Sequence, residues 1–293
     1  MHVPVLLQEV INYLQPQPNE NFIDATIGEG GHTKAILEHN QPQGLVLGLE
    51  RDQDLYAKLA PLKKQFSDRL ILVNDSYAYL EEIVKQNNFF PIAGVLFDLG
   101  MCSWHIDESG RGFTYKKDEP LDMRFDQGEG LTAGDILNNW SVNDLERILR
   151  DYGEERYAFR IAQAIKEYRK KNRFASTSQL VDLLKKTLPR NYDNHRLPFP
   201  ARTFQALRIA VNDELRNLQK GLEQALKVAA PNARIVVISF HSLEDRIVKN
   251  VFRDAQKQNK VKILTKKPER PTPEEIKRNP RSASAKLRAV IKN

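Results

Sequence analysis

A chain of 293 residues, 41% of them hydrophobic, is long enough for one large domain, or for one domain carrying a sizeable insertion, and no run in it approaches the ~18 apolar residues of a membrane span. Its single cysteine, Cys102, excludes an internal disulfide and a cysteine-rich zinc site, so no metal is expected. The net charge of +7 conceals an asymmetry: residues 1–146 hold 11 Lys/Arg and 23 Asp/Glu, residues 147–256 hold 22 and 12, and residues 257–293 hold 12 and 3, which suggests a polyanionic partner gripped by the later segments.

The stretch from His2 to Leu14 lacks a basic start, and Gln8 and Glu9 interrupt its apolar run, so it does not read as a signal peptide and a cytoplasmic protein is expected. Short apolar runs then mark strands, each leaving a turn or a helix start behind it. Phe22 to Ala25 is followed by a glycine loop and a helical pattern over 32–39. Leu45 to Leu49 ends at Glu50, ahead of a helix over 53–65. Leu70 to Val73 ends near Asn74 and Asp75, ahead of a helix over 77–87, and Gly94 to Phe97 ends at Asp98. This alternation predicts an α/β fold, a parallel sheet with helices on both faces.

The next hundred or so residues do not read as strands. Ser141 with Asp144 marks a helix start, Glu155 to Lys170 is amphipathic, and Ser176 starts a helix through Leu188. A helical domain over 105–200 is therefore expected, inserted into a sheet domain formed by 1–104 and 201–293. Phe204, Leu207, Val211, Leu215, Leu218, Leu222 and Leu226 then keep spacings of three and four, which predicts one helix whose apolar stripe packs on the sheet. Arg234 to Phe240 is the strongest strand, Val261 to Leu264 and Leu287 to Ile291 are weaker ones, and the Pro-rich stretch 268–280 between them reads as a loop.

In an open parallel sheet, ligands sit beyond the carboxyl ends of the strands. After the first strand comes DATIGEGGH, residues 24–32, where glycines let backbone approach a ligand and the helix start offers free N–H groups. Glu50 lies 22 residues after Gly28, near the spacing expected of an acid that binds ribose hydroxyls. The loop lacks the full dinucleotide glycine pattern, and Glu29 would repel a pyrophosphate. S-adenosylmethionine has no phosphate and carries a sulfonium and an ammonium, so an acidic pocket favours it over NAD. Tyr77 and Asp75, at the third strand end, are placed to meet an adenine ring, or to be ordinary packing in the case of Tyr77.

These residues and the later motifs resemble the ribosomal RNA N4-cytosine methyltransferase family (RsmH, also called MraW). The likeness runs nearly the whole length: HVPVLL at 2–7, GEGGH at 28–32, FDLGMCS at 97–103, RGFTY at 111–115, PLDMRF at 120–125, YGEERYAFRIAQAI at 152–165, ARTFQALRIAVNDEL at 201–215 and ISFHSLEDRIVK at 238–249. The resemblance implies a class I (Rossmann-like) S-adenosylmethionine-dependent methyltransferase sheet with an inserted helical domain. It implies cofactor contacts at Gly30, Gly31, His32, Glu50, Tyr77, Asp98 and His105. It also implies as substrate a cytosine in the decoding region of 16S ribosomal RNA, within the small ribosomal subunit. The family usually has Asp at Glu50, Phe at Tyr77, often Gln at His105 and Ser at Cys102. No membrane partner is expected, and a homodimer is left open.

Methylating the exocyclic amine of cytosine requires that N4 be held in line with the donated methyl and lose a proton as the bond forms. Asp98 is the candidate for orienting the amine or taking the proton, with Ser103 shaping the same pocket. Phe240 by stacking or His241 by hydrogen bonding is expected to touch the base, and Arg156 and Arg160 to meet phosphates. Asp122 and Arg124 read first as a salt bridge fixing the insertion to the sheet, and second as a substrate contact. Three other readings compete: methylation at C5 through Cys102, a nicotinamide-dependent oxidoreductase, and a catalytically inactive RNA-binding factor.

Overall fold

The computed structural model describes residues 4–128, 130–189, 192 and 198–293; His2 and Val3 of the opening motif lie outside the described residues. β1 (Phe22–Asp24), β2 (Val46–Leu49), β3 (Leu70–Val73), β4 (Gly94–Asp98), β5 (Arg234–Ser239), β6 (Val261–Ile263) and β7 (Lys286–Lys292) form one sheet in the order β3-β2-β1-β4-β5-β7-β6. β1 to β5 are parallel, and β7 runs antiparallel to both β5 and β6. β2, β4 and β5 read as near-continuous apolar runs because both faces of a parallel sheet are covered. This is the class I methyltransferase arrangement.

The helices, in chain order, are α1 (Leu7–Leu14), α2 (Gly31–His39), α3 (Gln53–Lys58), α4 (Ala60–Phe66), α5 (Leu80–Gln86), α6 (Ser103–Asp107), α7 (Ala133–Asn139), α8 (Val142–Asp151), α9 (Ala158–Arg169), α10 (Thr177–Thr187), α11 (Ala201–Asn212), α12 (Glu214–Val228), α13 (Ser242–Lys257) and α14 (Pro273–Arg278). The chain divides into two compact units, one of Met1–Gly100 with Leu215–Asn293, the other of Met101–Glu214.

In the first unit the period of two along each strand separates two cores. Leu47, Leu49, Val95, Phe97, Ile235 and Val237 share one cluster with Leu80 and Val84 of α5, Leu218 and Leu222 of α12, and Phe252 of α13. Val46, Leu96, Val236 and Ile238 face the other way, onto Leu6, Val10, Ile36 and Leu37. The second unit is helical and closes on its own core, including Ile148, Leu149, Ile161, Ile165, Leu180, Leu184, Phe204 and Leu207. Ser141 caps α8 through the Asp144 amide, and capping boxes open α7 (Thr132 with Asp135) and α10 (Ser176 with Gln179).

Two expectations are corrected. The single helix expected from Phe204 to Leu226 is broken at Asp213, whose backbone is left-handed with φ 49°. Its first half, with Phe204 and Leu207, belongs to the helical core, and its second half, with Leu218 and Leu222, to the sheet. The compact helical unit spans 101–214 and so takes in α11. The stretch 268–280 holds a short helix, α14, capped by Thr272 and opened by Pro273 at a position that needs no amide donor.

α13 is tied to β7 by charge. The Asp245 carboxylate accepts from Arg288 Nε at 2.6 Å, and Lys286 Nζ stands 3.5 Å away. Burial pushes the Asp245 pKa up, but the Arg288 hydrogen bonds and the two cations outweigh it and hold the group below the usual carboxylate range. An acid depressed in the folded state lends stability in full above the ordinary carboxylate pKa near ~4, and loses it as pH falls through the depressed value. Asp245→Ala is expected to cost about 3 kcal/mol at neutral pH, leaving a buried guanidinium without its partner. In urea titrations the gap to the wild type should narrow as the pH is lowered through the acid range; a constant gap would contradict this.

Candidate active site

Strand order reverses between β1 and β4, the switch point at which an open α/β sheet has its ligand crevice, outside the carboxyl ends of the strands. The sequence fills that crevice with carboxylates. Asp24, the last residue of β1, is buried and accepts from the Thr33 hydroxyl at 2.7 Å. Burial raises its pKa against the lowering effects of that bond and of His32, and Asp98 adds to the rise. Asp98 ends β4, its amide donating to Thr26 Oγ1 at 2.6 Å. His32 Nε2 stands 3.5 Å from Asp98 Oδ2. Both His32 ring nitrogens and Asp98 Oδ1 are buried without a hydrogen-bond partner. Buried polar atoms are almost always satisfied, so three such atoms together mark a place built for polar ligand groups.

The glycine loop is packed closely on the protein itself. Gly30 is left-handed at φ 79° and starts α2 with no side-chain cap, so the first amides of the helix remain available at the crevice. The space its side chain would need is taken by the protein itself. A Cβ on Gly30 would meet Leu62 Cδ2 at 2.3 Å, and one on Gly31 would meet Pro4 Cγ at 2.4 Å. These glycines let the turn pack against its own neighbours. Glu29 points to solvent.

Glu50 follows β2 and is held by the backbone. Its Oε2 accepts from Gly28 N at 3.2 Å and its Oε1 from Asp52 N at 2.9 Å. Burial pushes its pKa up to about 7, with those two hydrogen bonds working against the rise and the charge of Asp52 adding to it. Tyr77 packs edge-on to Phe97, ring centroids 5.5 Å apart. A Cβ on Gly221 of α12 would come within 2.6 Å of the Tyr77 ring, so the packing role is present. Phe240 follows β5 and is half-buried beside Gly100, whose Cβ position would lie 3.6 Å from the Phe240 ring.

His241 is a helix cap: its Nδ1 accepts from Glu244 N at 3.4 Å, and Glu244 returns a capping-box bond. The first unit thus brings Gly30, Gly31, His32, Glu50 and Asp98 to one edge. Asp24, Thr26 and Thr33 were not singled out in the sequence; a buried acid and two hydroxyls inside a turn motif carry no pattern distinct from ordinary turn chemistry.

The remaining candidates belong to the second unit. Ser103 is the first residue of α6, half-buried. His105 is 4% exposed, its ring enclosed by Trp104, Phe113 and Phe125 at 5.0–5.3 Å between centroids, and its Nδ1 lies 3.1 Å from Cys102 Sγ. Arg156 is exposed and lies over the rings of Tyr157 and Tyr192; Arg160 is exposed on α9. Asp122 and Arg124 form a two-pronged bridge at 2.8 and 2.9 Å within their own loop.

The donor set suits an adenosine ligand with a cationic tail. Glu50 offers a held carboxylate for hydroxyl donors, and Asp98 Oδ1 an unused acceptor for an amine or a positive centre. The MraW methylase family matches residues 1–293. The chain is 44% identical to a protein named ribosomal RNA small subunit methyltransferase H from Heliobacterium mobile, over 99% of this chain and 98% of that one. It is 42% identical to the protein of the same name from Symbiobacterium thermophilum, over 99% and 96%. More distantly, it overlaps an rRNA methylase structure from Streptococcus thermophilus at 11% identity and TM-score 0.47, covering 100% of this chain and 99% of that one.

An acid whose folded pKa is raised holds its proton more tightly in the folded state, so it costs stability as pH rises from ~4.5 towards 7. Glu50→Gln is expected to gain on the order of 1–3 kcal/mol over the wild type at pH ~8 and little at pH ~5. Its affinity for S-adenosylhomocysteine should fall at least ~10-fold, the loss of one charge-assisted bond. Equal stability effects at both pH values would contradict the assignment.

Proposed function

Because the chain belongs to the MraW methylase family, we propose that it transfers a methyl group from S-adenosylmethionine to N4 of a cytosine in the decoding region of 16S ribosomal RNA, acting on the small subunit. The observation that carries the proposal is the buried, unsatisfied Asp98 Oδ1 beside His32 at the β1–β4 crevice. A carboxylate so placed needs a donor, and the exocyclic amine of cytosine offers N–H groups.

When bound, S-adenosylmethionine supplies a methyl group activated by a positively charged sulfur. Glu50 would hold its ribose hydroxyls, and His32 with the first amides of α2 its polar tail. The protein's own residues do the rest. Asp98 accepts a hydrogen bond from the N4 amine and orients its weak lone pair, then takes the proton released as the N–C bond forms. That proton relieves a cluster of acids, since Asp24 stands close enough for its charge to be felt. Phe240 offers a face on which the base can stack. Ser103, five residues beyond Asp98 along the chain, offers a hydroxyl as a hydrogen-bond partner for the substrate. Arg156 and Arg160 meet phosphates, Arg156 from a guanidinium pre-set over two tyrosine rings.

Labelled methyl transfer to small subunits from a strain lacking this enzyme tests the proposal. Asp98→Asn is expected to lower kcat by ~10²–10⁴ with a much smaller change in KM, as for loss of a general base. Cys102→Ser should leave transfer intact, since the N4 route needs no thiol. Full activity in Asp98→Asn, or none in Cys102→Ser, would contradict it.

A further inference from the structure

The basic excess of the chain sits in an unexpected place. The helical unit 101–214 holds 19 Lys/Arg and 18 Asp/Glu, and the sheet unit the other 26 and 20. The +6 of the sheet unit is less than the +9 of its last 37 residues, 257–293. The insertion is therefore nearly neutral, and one segment of the sheet unit carries the positive field.

Two of that segment's three acids are engaged with α1 and the residue before it, and the third, Glu274, is exposed. Glu269 accepts from the Tyr13 hydroxyl at 2.8 Å, and Glu275 from Leu6 N at 2.7 Å, tying the segment to α1. Burial and Glu269 push the Tyr13 hydroxyl up to about 12, so it stays a donor throughout the neutral range. Lys286 and Arg288 are spent on Asp245, and Lys257 on Asp254. Lys262, Lys266, Lys267, Arg270, Lys277 and Arg278 are all exposed and, among the described residues, make no ion pair.

These cations share a location. β6 is antiparallel to β7 and so runs the same way as β5. The chain leaving it is hydrogen-bonded to Ala289 and then to Leu287, towards the start of β7, where Lys286 pairs with Ser239 at the carboxyl end of β5. The segment therefore lies on the same edge of the sheet as the crevice, on the flank beyond β5. Lys262 alone would keep the open edge of β6 from pairing with another strand, and the other five cations lie past that strand. The exposed large hydrophobic side chains among the described residues are Tyr79, Phe90, Leu131 and Phe159. None falls in this segment, so the surface lacks the apolar anchor of a membrane-binding face.

We infer that residues 260–281 form a phosphate-binding flank that grips the backbone of the RNA whose base enters the crevice. This rests on the proposed function for the identity of the polyanion, while its location comes from the free cations. The test is binding of purified 16S ribosomal RNA across a salt series. It compares the wild type, a quadruple variant (Lys262→Gln, Lys266→Gln, Lys267→Gln, Arg270→Gln), and a control quadruple of exposed lysines elsewhere in the sheet unit (Lys58→Gln, Lys64→Gln, Lys85→Gln, Lys220→Gln). Releasing four phosphate contacts should make the slope of log K against log salt shallower by about 3, with S-adenosylhomocysteine affinity and melting temperature unchanged. The control should change the slope by less than ~1. Equal flattening by both sets, an unchanged slope in the flank variant, or wild-type binding to phosphatidylglycerol vesicles in place of RNA would overturn the inference. If the wild type binds RNA with the steep slope yet transfers no methyl group, the flank stands and the transfer reading falls.

Discussion

The amide of Asp98 is tied to Thr26 Oγ1, and the amide of Ala25 to the carbonyl of Leu96. These cross-links bind the ends of β1 and β4 where the strand order reverses. Everything at the site follows from that join. It brings Asp24 and Asp98 close enough for their charges to interact, sets His32 beside them at the start of α2, and leaves polar atoms buried without partners. Such an arrangement is unfavourable without a ligand. It persists because two apolar cores, one on each face of the sheet, hold the strands in register. The raised pKa of Glu50 belongs to the same pattern: the first unit keeps acids where water is scarce, at a cost to its own stability, and a ligand bearing donors and positive charge offsets it.

Much of this was legible in the sequence, for physical reasons. The central strands, buried on both faces, read as apolar runs, and the shorter apolar runs of β3, β6 and β7 stood out between turns, so all seven were located to within a residue at each end, as were the sheet-side helices that follow the glycine turn and the second strand, the latter divided at Leu59. Glu50 and Asp98 stood out because an acid at the end of an apolar strand has no packing reason to be there. The break at Asp213 was not legible. Phe204 to Leu226 keeps helical spacing across it, and periodicity cannot register a single left-handed residue that divides one stripe between two cores. α14 was hidden by its prolines, which read as loop until Thr272 is seen to cap the turn they open.

The glycines and His105 teach a different lesson. Residue type marked Gly30 and Gly31 for the approach of a ligand to backbone; that their missing side chains also leave room for Leu62 and Pro4 has no sequence signal. His105 was carried over by resemblance as a ligand contact; the structure sets its ring among three aromatic neighbours with its Nδ1 against Cys102. Charge was legible as a sum but not as a place. The two halves of the sequence differ in sign, but only the fold shows that the helical unit is nearly neutral and that the free cations gather after β6.

Whether Asp98 directs a methyl group to an exocyclic amine is decided by the chemical identity of the product. After transfer from S-adenosylmethionine to small subunits, the RNA is digested to nucleosides and the modified base identified by mass spectrometry against synthetic standards. N4-methylcytidine is the expected product. Finding 5-methylcytidine would contradict it and move the chemistry to the Cys102 thiol.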